Sequence, residues 1–493
     1  MSDDPAMQGP EGIEGTEGTE GIGGIDDLRR GLRVGTAADE AQLAAEAREL
    51  EALDAAPALT RWASFLRRGG PGYLQAAMTL GGGTAVSAIF AGRLFGYQLL
   101  WVAPLAMLLG IVMLGALAHQ TLSTGLRPLD AMRRYAGAPV AWGWALSALL
   151  ASIIWHFPQY SLAGGALSDA LAVGGLTLPP LGSAFIVLGF AVWMSLMYGR
   201  GGRALRLYET SVKALVWAVV AAFAVVVIAS AGRTDWGTVG RGFIPSLPEA
   251  RGGTQSLTLI VAGLASAVGV NMVFLYPYSL RARGWGRAHR KLARFDLFAG
   301  MLLPYTLATS LVVIATANTI PWDPTSGEAA KLQAIDAARS IGSVLGATEG
   351  RLVFDVGLLA MALSTITLHM VCAGFVVMEL TGAAFGSARW RLGTLLPAVG
   401  VLGPLVGQDL LFWLAIPTSI VCGLFLPLAY YGITRLQASR AYLGEDQPRG
   451  ARGGAILAAM VLITGFLTFM FVRDLRTQGP SYLQKIRGQE APK

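Results

Sequence analysis

From residue 71 onward, long apolar runs alternate with short polar breaks, and the runs are of the length that crosses a bilayer as a helix. Eleven spans are predicted, of which the ninth is the shortest. They lie near residues 72–92, 97–119, 140–166, 180–198, 209–231, 257–280, 296–317, 352–381, 393–406, 409–432 and 454–472. The pattern predicts an all-α polytopic membrane protein with about eleven transmembrane helices.

The first 60 residues have a different character. A low-complexity run of Gly and Glu over residues 11–24 precedes an acidic, Ala-rich stretch, and residues 1–60 contain 14 acidic and 4 basic residues. This composition predicts a disordered acidic tail with a short helix near residues 38–55. We therefore divide the chain into this tail (1–60), a membrane core (61–433), and an eleventh helix with a C-terminal tail (434–493).

Composition and charge support a membrane protein. Only 14% of the residues are charged and 54% are hydrophobic, whereas an average soluble domain is about 25% charged. This excludes a soluble enzyme, a nucleic-acid-binding protein and a disulfide-rich secreted domain. Basic residues fall in alternate loops, most densely over residues 281–294, and this pattern predicts that the N-terminus is cytoplasmic. The expected location is the inner (cell) membrane. The basic segment after span eleven departs from this rule.

Two spans contain helix breakers at their centres. Span one holds Gly81, Gly82 and Gly83 in a row, and span six holds Gly269 and Asn271. Each glycine costs about 1 kcal/mol in a helix interior, so three in a row favour an unwound turn. Irregular backbone at membrane depth persists where protein covers it or where it lines a cavity. Paired breaks in spans one and six indicate an inverted repeat with a binding site between them, although glycines also serve close helix packing.

Several segments resemble one family of membrane proteins. GPGYLQAAMTLGGGTAVSAIFAGRLFGYQLLWV (70–102) is similar to the first two helices of the natural resistance-associated macrophage protein (NRAMP) family of divalent metal transporters. STGLRPLDAMRRYAG (123–137), FDLFAG (295–300) and AGFVVMEL (373–380) resemble later segments of the family. The resemblance implies a LeuT-like fold, in which spans 1–5 and 6–10 are inverted repeats. It also implies a metal site between broken helices one and six.

The family's metal-binding motifs are altered in this chain. Where the family has an Asp-Pro-Gly-Asn motif, the sequence reads Gly81, Gly82, Gly83 and Thr84. Where helix six of the family has Met-Pro-His, the alignment places Asn271, Met272 and Val273, and a slip of one residue restores Met272 as a ligand. A backbone carbonyl near Val268 completes the implied site.

The proton pathway implied by the resemblance is altered too. The acidic pair of helix three is replaced by His156 and Gln159, and the histidines of helix six by Val273 and Tyr278. In these departures the chain resembles the NRAMP-related magnesium transporters, which also lack the usual site and are not driven by protons.

The ligand types present also predict which cation the site prefers, independently of the resemblance. Without a carboxylate, neutral oxygens do not replace the whole hydration shell of a divalent ion, so we expect a cation that keeps several waters, as Mg²⁺ does. Gly81 and Gly82 are expected to widen the cavity, while Thr84, Asn271 and the carbonyls at 80–83 and 268–271 supply oxygens. Membrane potential alone drives such uptake, at about 2.3 kcal/mol per charge per 100 mV.

Other polar residues in the spans are candidates for the ion pathway. Asp296 and Glu209 lie near cytoplasmic ends, where we favour pairing with basic loop residues, and Glu379 ends span eight beside a cytoplasmic loop, where we favour a structural role. His156 is as consistent with packing as with lining a cavity, and for His369 packing is favoured. Gln408 and Asp409 begin span ten, where the family contributes a polar ligand.

The leading hypothesis is a potential-driven, proton-independent transporter of divalent cations that prefers Mg²⁺ and accepts Mn²⁺. Alternatives are ordinary proton-coupled Mn²⁺ or Fe²⁺ uptake through Met272, transport of a small non-metal solute, and a non-transporting receptor. No enzyme activity and no cofactor besides the transported cation are predicted, because phosphate-loop, zinc-protease and serine-hydrolase motifs are missing from the sequence. The expected partners are the metal ion and the lipid bilayer; nucleic acid is not among them, and no partner is assigned to the acidic tail.

Overall fold

A computed structural model describes residues 37–200, 202–320, 322, 345–406 and 408–486. Within these ranges the chain forms helices and turns, with one isolated β-bridge between Arg251 and Thr254. The predicted all-α class is confirmed.

Each predicted span corresponds to a helix or a broken helix in the described residues. The first five are α1a (Pro71–Thr79) with α1b (Gly82–Phe95), α2 (Val102–Thr124), α3 (Ala138–Val173), α4 (Pro180–Tyr198) and α5 (Gly202–Ala229). The next three are α6a (Ser256–Ala267) with α6b (Val270–Ala282), α7 (Arg290–Asp296, continued to Thr319) and α8 (Ala347–Thr381). The last three are α9 (Ala388–Thr394, followed by a 3₁₀ helix over Leu396–Val406), α10 (Gln408–Gly423 and Leu426–Ala438) and α11 (Gly450–Ile486).

The short ninth span differs from the others, because it is not among the helices that are long and apolar enough to span a membrane. Among the described residues, nine helices are long and apolar enough to span a membrane, and the bent pair α1a–α1b makes ten. The 3₁₀ segment Leu396–Val406 has 11 residues, and at about 2.0 Å per residue it extends about 22 Å. Together with Ala388–Thr394 it approaches the thickness of the hydrocarbon core, which is about 30 Å.

Spans one and six are interrupted, as the glycines predict. α1a and α1b meet at an angle of 56° across Leu80 and Gly81. α6a and α6b are separated by Val268 and Gly269, both of which have extended backbone angles. The two breaks occupy the first position of each set of five spans, as an inverted repeat requires.

The start of α1a is held by α7. The segment Leu297–Leu302 of α7 is a π-helix, and immediately before it the Asp296 carboxylate accepts a hydrogen bond from the Gly72 amide at 2.6 Å. A side chain at Gly72 would collide with the Asp296 backbone, so glycine is needed for this close approach. Asp296 thus satisfies an orphan amide at a helix N-terminus.

Part of the acidic tail packs on this core. A helix covers Ala37–Ala52, as predicted near residues 38–55, and another covers Ala58–Arg68. Leu50 and Phe65 are buried, and the Phe65 ring meets Phe295 of α7 edge-on with centroids 5.5 Å apart. The prediction of disorder for residues 1–36 lies outside the described residues.

Candidate metal-binding site

The break in α1 is bridged by a hydroxyl group. Thr84, in the first turn of α1b, donates a hydrogen bond to the carbonyl oxygen of Thr79 at 2.6 Å. The Thr79 hydroxyl in turn lies 3.1 Å from the carbonyl oxygen of Ala267, at the end of α6a. The Thr79 hydroxyl is also 2.9 Å from the carbonyl oxygen of Gln75 in its own helix. Threonine hydroxyls therefore lie beside the carbonyls at both breaks, and their oxygen lone pairs remain able to coordinate a cation.

The expected widening of the site by Gly81 and Gly82 is wrong in this structure. A Cβ atom on Gly81 would lie 2.5 Å from Nε2 of Gln159 and 2.7 Å from Oγ1 of Thr365. The Gly82 amide donates to Oε1 of Gln159 at 2.9 Å. Gln159 of α3 and Thr365 of α8 therefore occupy the space that the missing side chain leaves, and Gln159 caps the N-terminus of α1b.

The break in α6 presents two neighbouring side chains to the site. The Met272 amide donates to Oδ1 of Asn271 at 3.0 Å, and the Gly269 amide donates to Sδ of Met272 at 3.3 Å. The side chain of Val268 packs against Gly110 of α2, where a Cβ would collide with it. The Val268 side chain therefore holds α6 against α2, and Val268 is not among the residues that line the cavity described below, so its expected carbonyl ligand stays a prediction.

A buried cavity of about 30 Å³ lies between the two breaks. Its wall is formed by Met78, Thr79, Gly81, Gly83, Thr84, Trp155, Gln159, Ala265, Ser266, Gly269, Asn271, Met272, Thr365 and His369. Thr84, Gln159 and Asn271 are each at most 2% exposed. Since a water molecule needs about 10–15 Å³ on this measure, the cavity has room for about two particles of that size.

The cavity offers neutral donors of two kinds. Thr84, Asn271 and Gln159 provide hydroxyl and amide oxygens, and Met272 and His369 provide a thioether and an imidazole. None of the described residues lining it is a carboxylate, and no group of three or more His, Cys, Asp and Glu suited to a metal occurs among the described residues. Oxygens suit hard cations, whereas thioether and imidazole suit softer transition metals.

The two intramembrane histidines lie together beside this cavity. His369 lines it, and its Nδ1 has no hydrogen-bond partner among the described residues. His156 lies behind His369, with ring centroids 5.4 Å apart, and its Nδ1 donates to the Ser152 carbonyl at 2.6 Å. For His156, packing and cavity lining were both expected, and the structure gives it the packing role. For His369 packing was favoured, but the structure places it in the wall of the cavity.

Other predicted residues lie away from the cavity. Asp296 caps α1a, Val273 is buried in the first turn of α6b, and the Tyr278 hydroxyl accepts from the Leu129 amide at 3.2 Å. Glu209 pairs with Arg283 at 3.5 Å, and Glu379 pairs with Arg127 at 2.8 Å. The ion pair of Glu209 agrees with its expected pairing, and that of Glu379 with its expected structural role. The expected pairing of Asp296 with a basic residue is replaced by its hydrogen bond to the Gly72 amide.

α10 begins at Gln408, but the side chains of Gln408 and Asp409 lie outside the described part of the structure. Their role as a polar contribution from span ten stays a prediction.

Thr79, Trp155 and Thr365 also line the cavity and were not predicted from the sequence. Thr365 lies one helical turn before His369, and residues at i and i+4 share a face of a helix. From that spacing, Thr365 could have been predicted to line the same cavity as His369. Trp155 fills the space beside Gly83, where a Cβ would collide with its ring; no sequence pattern indicates this contact.

A second cavity of about 30 Å³ adjoins the first and shares Thr84 and Ser266 with it. It runs between α1b, α6a and α7, and the hydroxyls of Ser87 and Ser310 in its wall have no hydrogen-bond partner among the described residues. Buried polar groups of this kind are ordinarily satisfied by water. Most of the remaining wall of this second cavity is apolar, so it extends the space beside the central site along α1b without adding a continuous set of ligands for a cation.

Comparison with known proteins gives consistent results. Residues 72–473 match the family described as natural resistance-associated macrophage protein-like. The divalent metal cation transporter MntH of Deinococcus radiodurans is 26% identical over 410 residues, covering 81% of this chain and 88% of that protein. MntH of Mycobacterium leprae is 24% identical over 420 residues, covering 82% and 92%. The crystal structure of a manganese transporter from Eremococcus coleocola is similar with a TM-score of 0.70 and 18% identity, covering 85% of this chain and 87% of the other.

Proposed function

Because the chain belongs to the NRAMP family, we propose that it carries a divalent metal cation across the membrane through the cavity between the breaks of α1 and α6. The family consists of multi-pass membrane transporters and not of enzymes. Relatives that match over four fifths of this chain are divalent metal cation transporters. We further propose that the N-terminus lies in the cytoplasm, as the basic alternate loops predict.

The proposed ion preference is based on one observation. The cavity at the two breaks is lined by oxygen donors without a carboxylate among the described residues. A neutral site competes poorly for a bare divalent ion, so the favoured cargo is a partly hydrated hard cation, Mg²⁺ first and Mn²⁺ second. Among the described lining residues His369 is the side chain that could take up a proton, and no carboxylate stands beside it to couple a proton to the ion. We therefore propose that the membrane potential is the driving force.

The size of the cavity adds a condition to this proposal. With room for about two water-sized particles, the cavity does not hold a fully hydrated Mg²⁺. Gln159 occupies the space beside Gly81 and would have to withdraw to enlarge it. Under this proposal, entry of a partly hydrated cation requires the side chains around the cavity, Gln159 first among them, to move apart.

A second candidate is proton-coupled transport of Mn²⁺ or Fe²⁺. The first observation in its favour is that Met272 and His369 both line the cavity, since thioether and imidazole ligands suit softer metals. The second is that the structure of the manganese transporter has the same fold.

The test is ion flux into liposomes that contain the purified protein, a pH-sensitive dye and a divalent-metal indicator. At an inside-negative potential we expect influx of Mg²⁺ and Mn²⁺ without acidification of the lumen. Thr84→Val removes a cavity hydroxyl while keeping the shape of the side chain, and should lower the flux of both ions. Thr464→Val, an equivalent change in α11 outside the cavity, should leave the flux unchanged.

The variant Met272→Leu separates the two candidates. It removes the thioether at nearly constant volume, so Mg²⁺ flux persists if oxygen donors bind the cargo. A selective loss of Mn²⁺ flux, together with acidification of the lumen by the wild type, would favour the second candidate. If no divalent ion moves, both are wrong.

A further inference from the structure

A large cleft opens on the side of the core that is predicted to be cytoplasmic, well apart from the central cavity. Its volume is about 960 Å³, and it lies between α2, the start of α7, the start of α11 and the tail helix Ala37–Ala52. This size is at the upper end of the range for pockets that enclose a drug-sized ligand. Six basic residues border it: Arg287, Arg290, Lys291, Arg294, Arg449 and Arg452.

The positive charge of the cleft exceeds its negative charge. Its two carboxylates are Glu51 and Asp446, and Asp446 already pairs with Arg287 and, at 2.8 Å, with Arg290. Burial raises the pKa of Asp446, but the hydrogen bond and charge of Arg290 outweigh this and hold the pKa below its ordinary value. Arg449 and Arg452 are exposed and form no ion pair among the described residues.

The chemistry of the cleft changes along the helices that border it. Its basic residues lie at or just before the starts of α7 and α11, which we call its mouth. Ile111 and Val112 of α2 and Ile456 of α11 lie farther into the spans, and we call them its inner wall. From His119 to Ile111 the cleft follows α2 for eight residues, or about 12 Å at 1.5 Å per residue. That distance is comparable to one half of the hydrocarbon core, which is about 30 Å thick. Gly115 lies on this wall, and a Cβ there would meet nothing within 4 Å.

We propose that this cleft binds an anionic phospholipid, with its phosphate between the basic residues at the mouth and an acyl chain along Ile111, Val112 and Ile456. Basic pockets between transmembrane helices on the cytoplasmic side recognise anionic head groups. The other acidic candidate is the segment of residues 1–28, which carries eight carboxylates and no basic side chain. The inner wall favours the lipid, because that glycine- and glutamate-rich segment has little apolar surface to place there.

The test uses the full-length protein in detergent and native mass spectrometry with phosphatidylglycerol, phosphatidylcholine and glycerol phosphate as probes. We expect phosphatidylglycerol to bind at least tenfold tighter than phosphatidylcholine. Arg449→Gln with Arg452→Gln should weaken phosphatidylglycerol binding about 30-fold, at about fivefold per cation near the surface. Arg473→Gln with Arg476→Gln, at the other end of α11, should change it less than twofold.

A second variant tests the acyl-chain part of the cleft. Gly115→Leu fills its inner wall, so it should weaken phosphatidylglycerol binding and leave the binding of glycerol phosphate unchanged. The matched control is Gly189→Leu in α4, where a Cβ also meets nothing within 4 Å. Melting temperatures measured without lipid show whether each variant is folded.

Three outcomes would overturn the proposal. One is equal binding of the two lipids by the wild type, and another is unchanged phosphatidylglycerol binding in the arginine variant. The third is binding of phosphatidylglycerol only after the eight carboxylates of residues 1–28 are changed to amides. That last result would make the acidic segment the occupant of the cleft.

Discussion

Gln159→Glu converts the neutral site into a charged one with the smallest change of shape. In the wild type, Oε1 of Gln159 accepts from the Gly82 amide at 2.9 Å, and a carboxylate oxygen accepts the same bond. The second oxygen replaces Nε2, which lies against Gly81 and Thr365. A charged acceptor at the N-terminus of α1b is stabilised by the helix dipole and by a stronger hydrogen bond.

The size of the effect follows from Coulomb's law. A divalent cation about 5 Å from the new carboxylate gains about 2 kcal/mol in a water-like medium and about 7 kcal/mol at an effective dielectric constant of 20. Desolvation of the buried carboxylate offsets part of that gain, so we take the lower figure. About 2 kcal/mol corresponds to a Kd for Mn²⁺ that is about 30-fold lower than in the wild type.

The assay is calorimetric titration of Mn²⁺ into the wild type, Gln159→Glu and the neutral control Gln159→Met, repeated at several pH values. We expect tighter binding only in Gln159→Glu. Its advantage should disappear as the pH falls, because protonation removes the charge, whereas the wild type should vary less. An unchanged Kd in a folded Gln159→Glu protein would show that the cation does not bind beside Gln159, and the proposed site would be wrong.

Two further predictions concern stability, measured by tryptophan fluorescence during thermal unfolding in detergent. Arg127→Ala leaves the Glu379 carboxylate buried without its partner and should cost about 3–5 kcal/mol; an unchanged melting temperature would contradict a structural role for this pair. Gly72→Ala forces the N-terminus of α1a away from Asp296 and should lower the melting temperature. Gly165→Ala, where a Cβ meets nothing within 4 Å, should leave it unchanged or raise it.

The positions of the helix breaks could be predicted from local sequence, because the cost of glycine in a helix is a local property. Three glycines at 81–83 mark the break in α1; in the structure the break lies at Leu80 and Gly81, and Gly82 and Gly83 already belong to α1b. In α6 the first half-helix ends at Ala267, two residues before Gly269. A single glycine indicates a break less clearly than a run does, and the sequence left close packing as an alternative.

The contents of the cavity could not be predicted in the same way. Whether Gly81 leaves open space depends on how α3 and α8 lie against α1, and those helices bring Gln159 and Thr365 into that space. The alignment treated Asn271 and Met272 as alternative ligands, yet both line the cavity. In the irregular first turn of α6b the Asn271 side chain folds onto its own backbone, while the longer Met272 reaches back toward Gly269. Neither arrangement follows from helical periodicity.

Three acidic residues near the predicted cytoplasmic ends of the spans have a common structural role. Asp296 holds the start of α1a, Glu209 pairs with Arg283 just after α6b, and Glu379 pairs with Arg127 in the loop before α3. All three fix parts of the core around the two half-helices, and none of them lines the central cavity. If the cargo is a divalent cation, its own two charges are then the principal charges that move through the site. A potential of 100 mV supplies about 4.6 kcal/mol for two charges, so reversing the potential across the liposome should reverse the direction of flux.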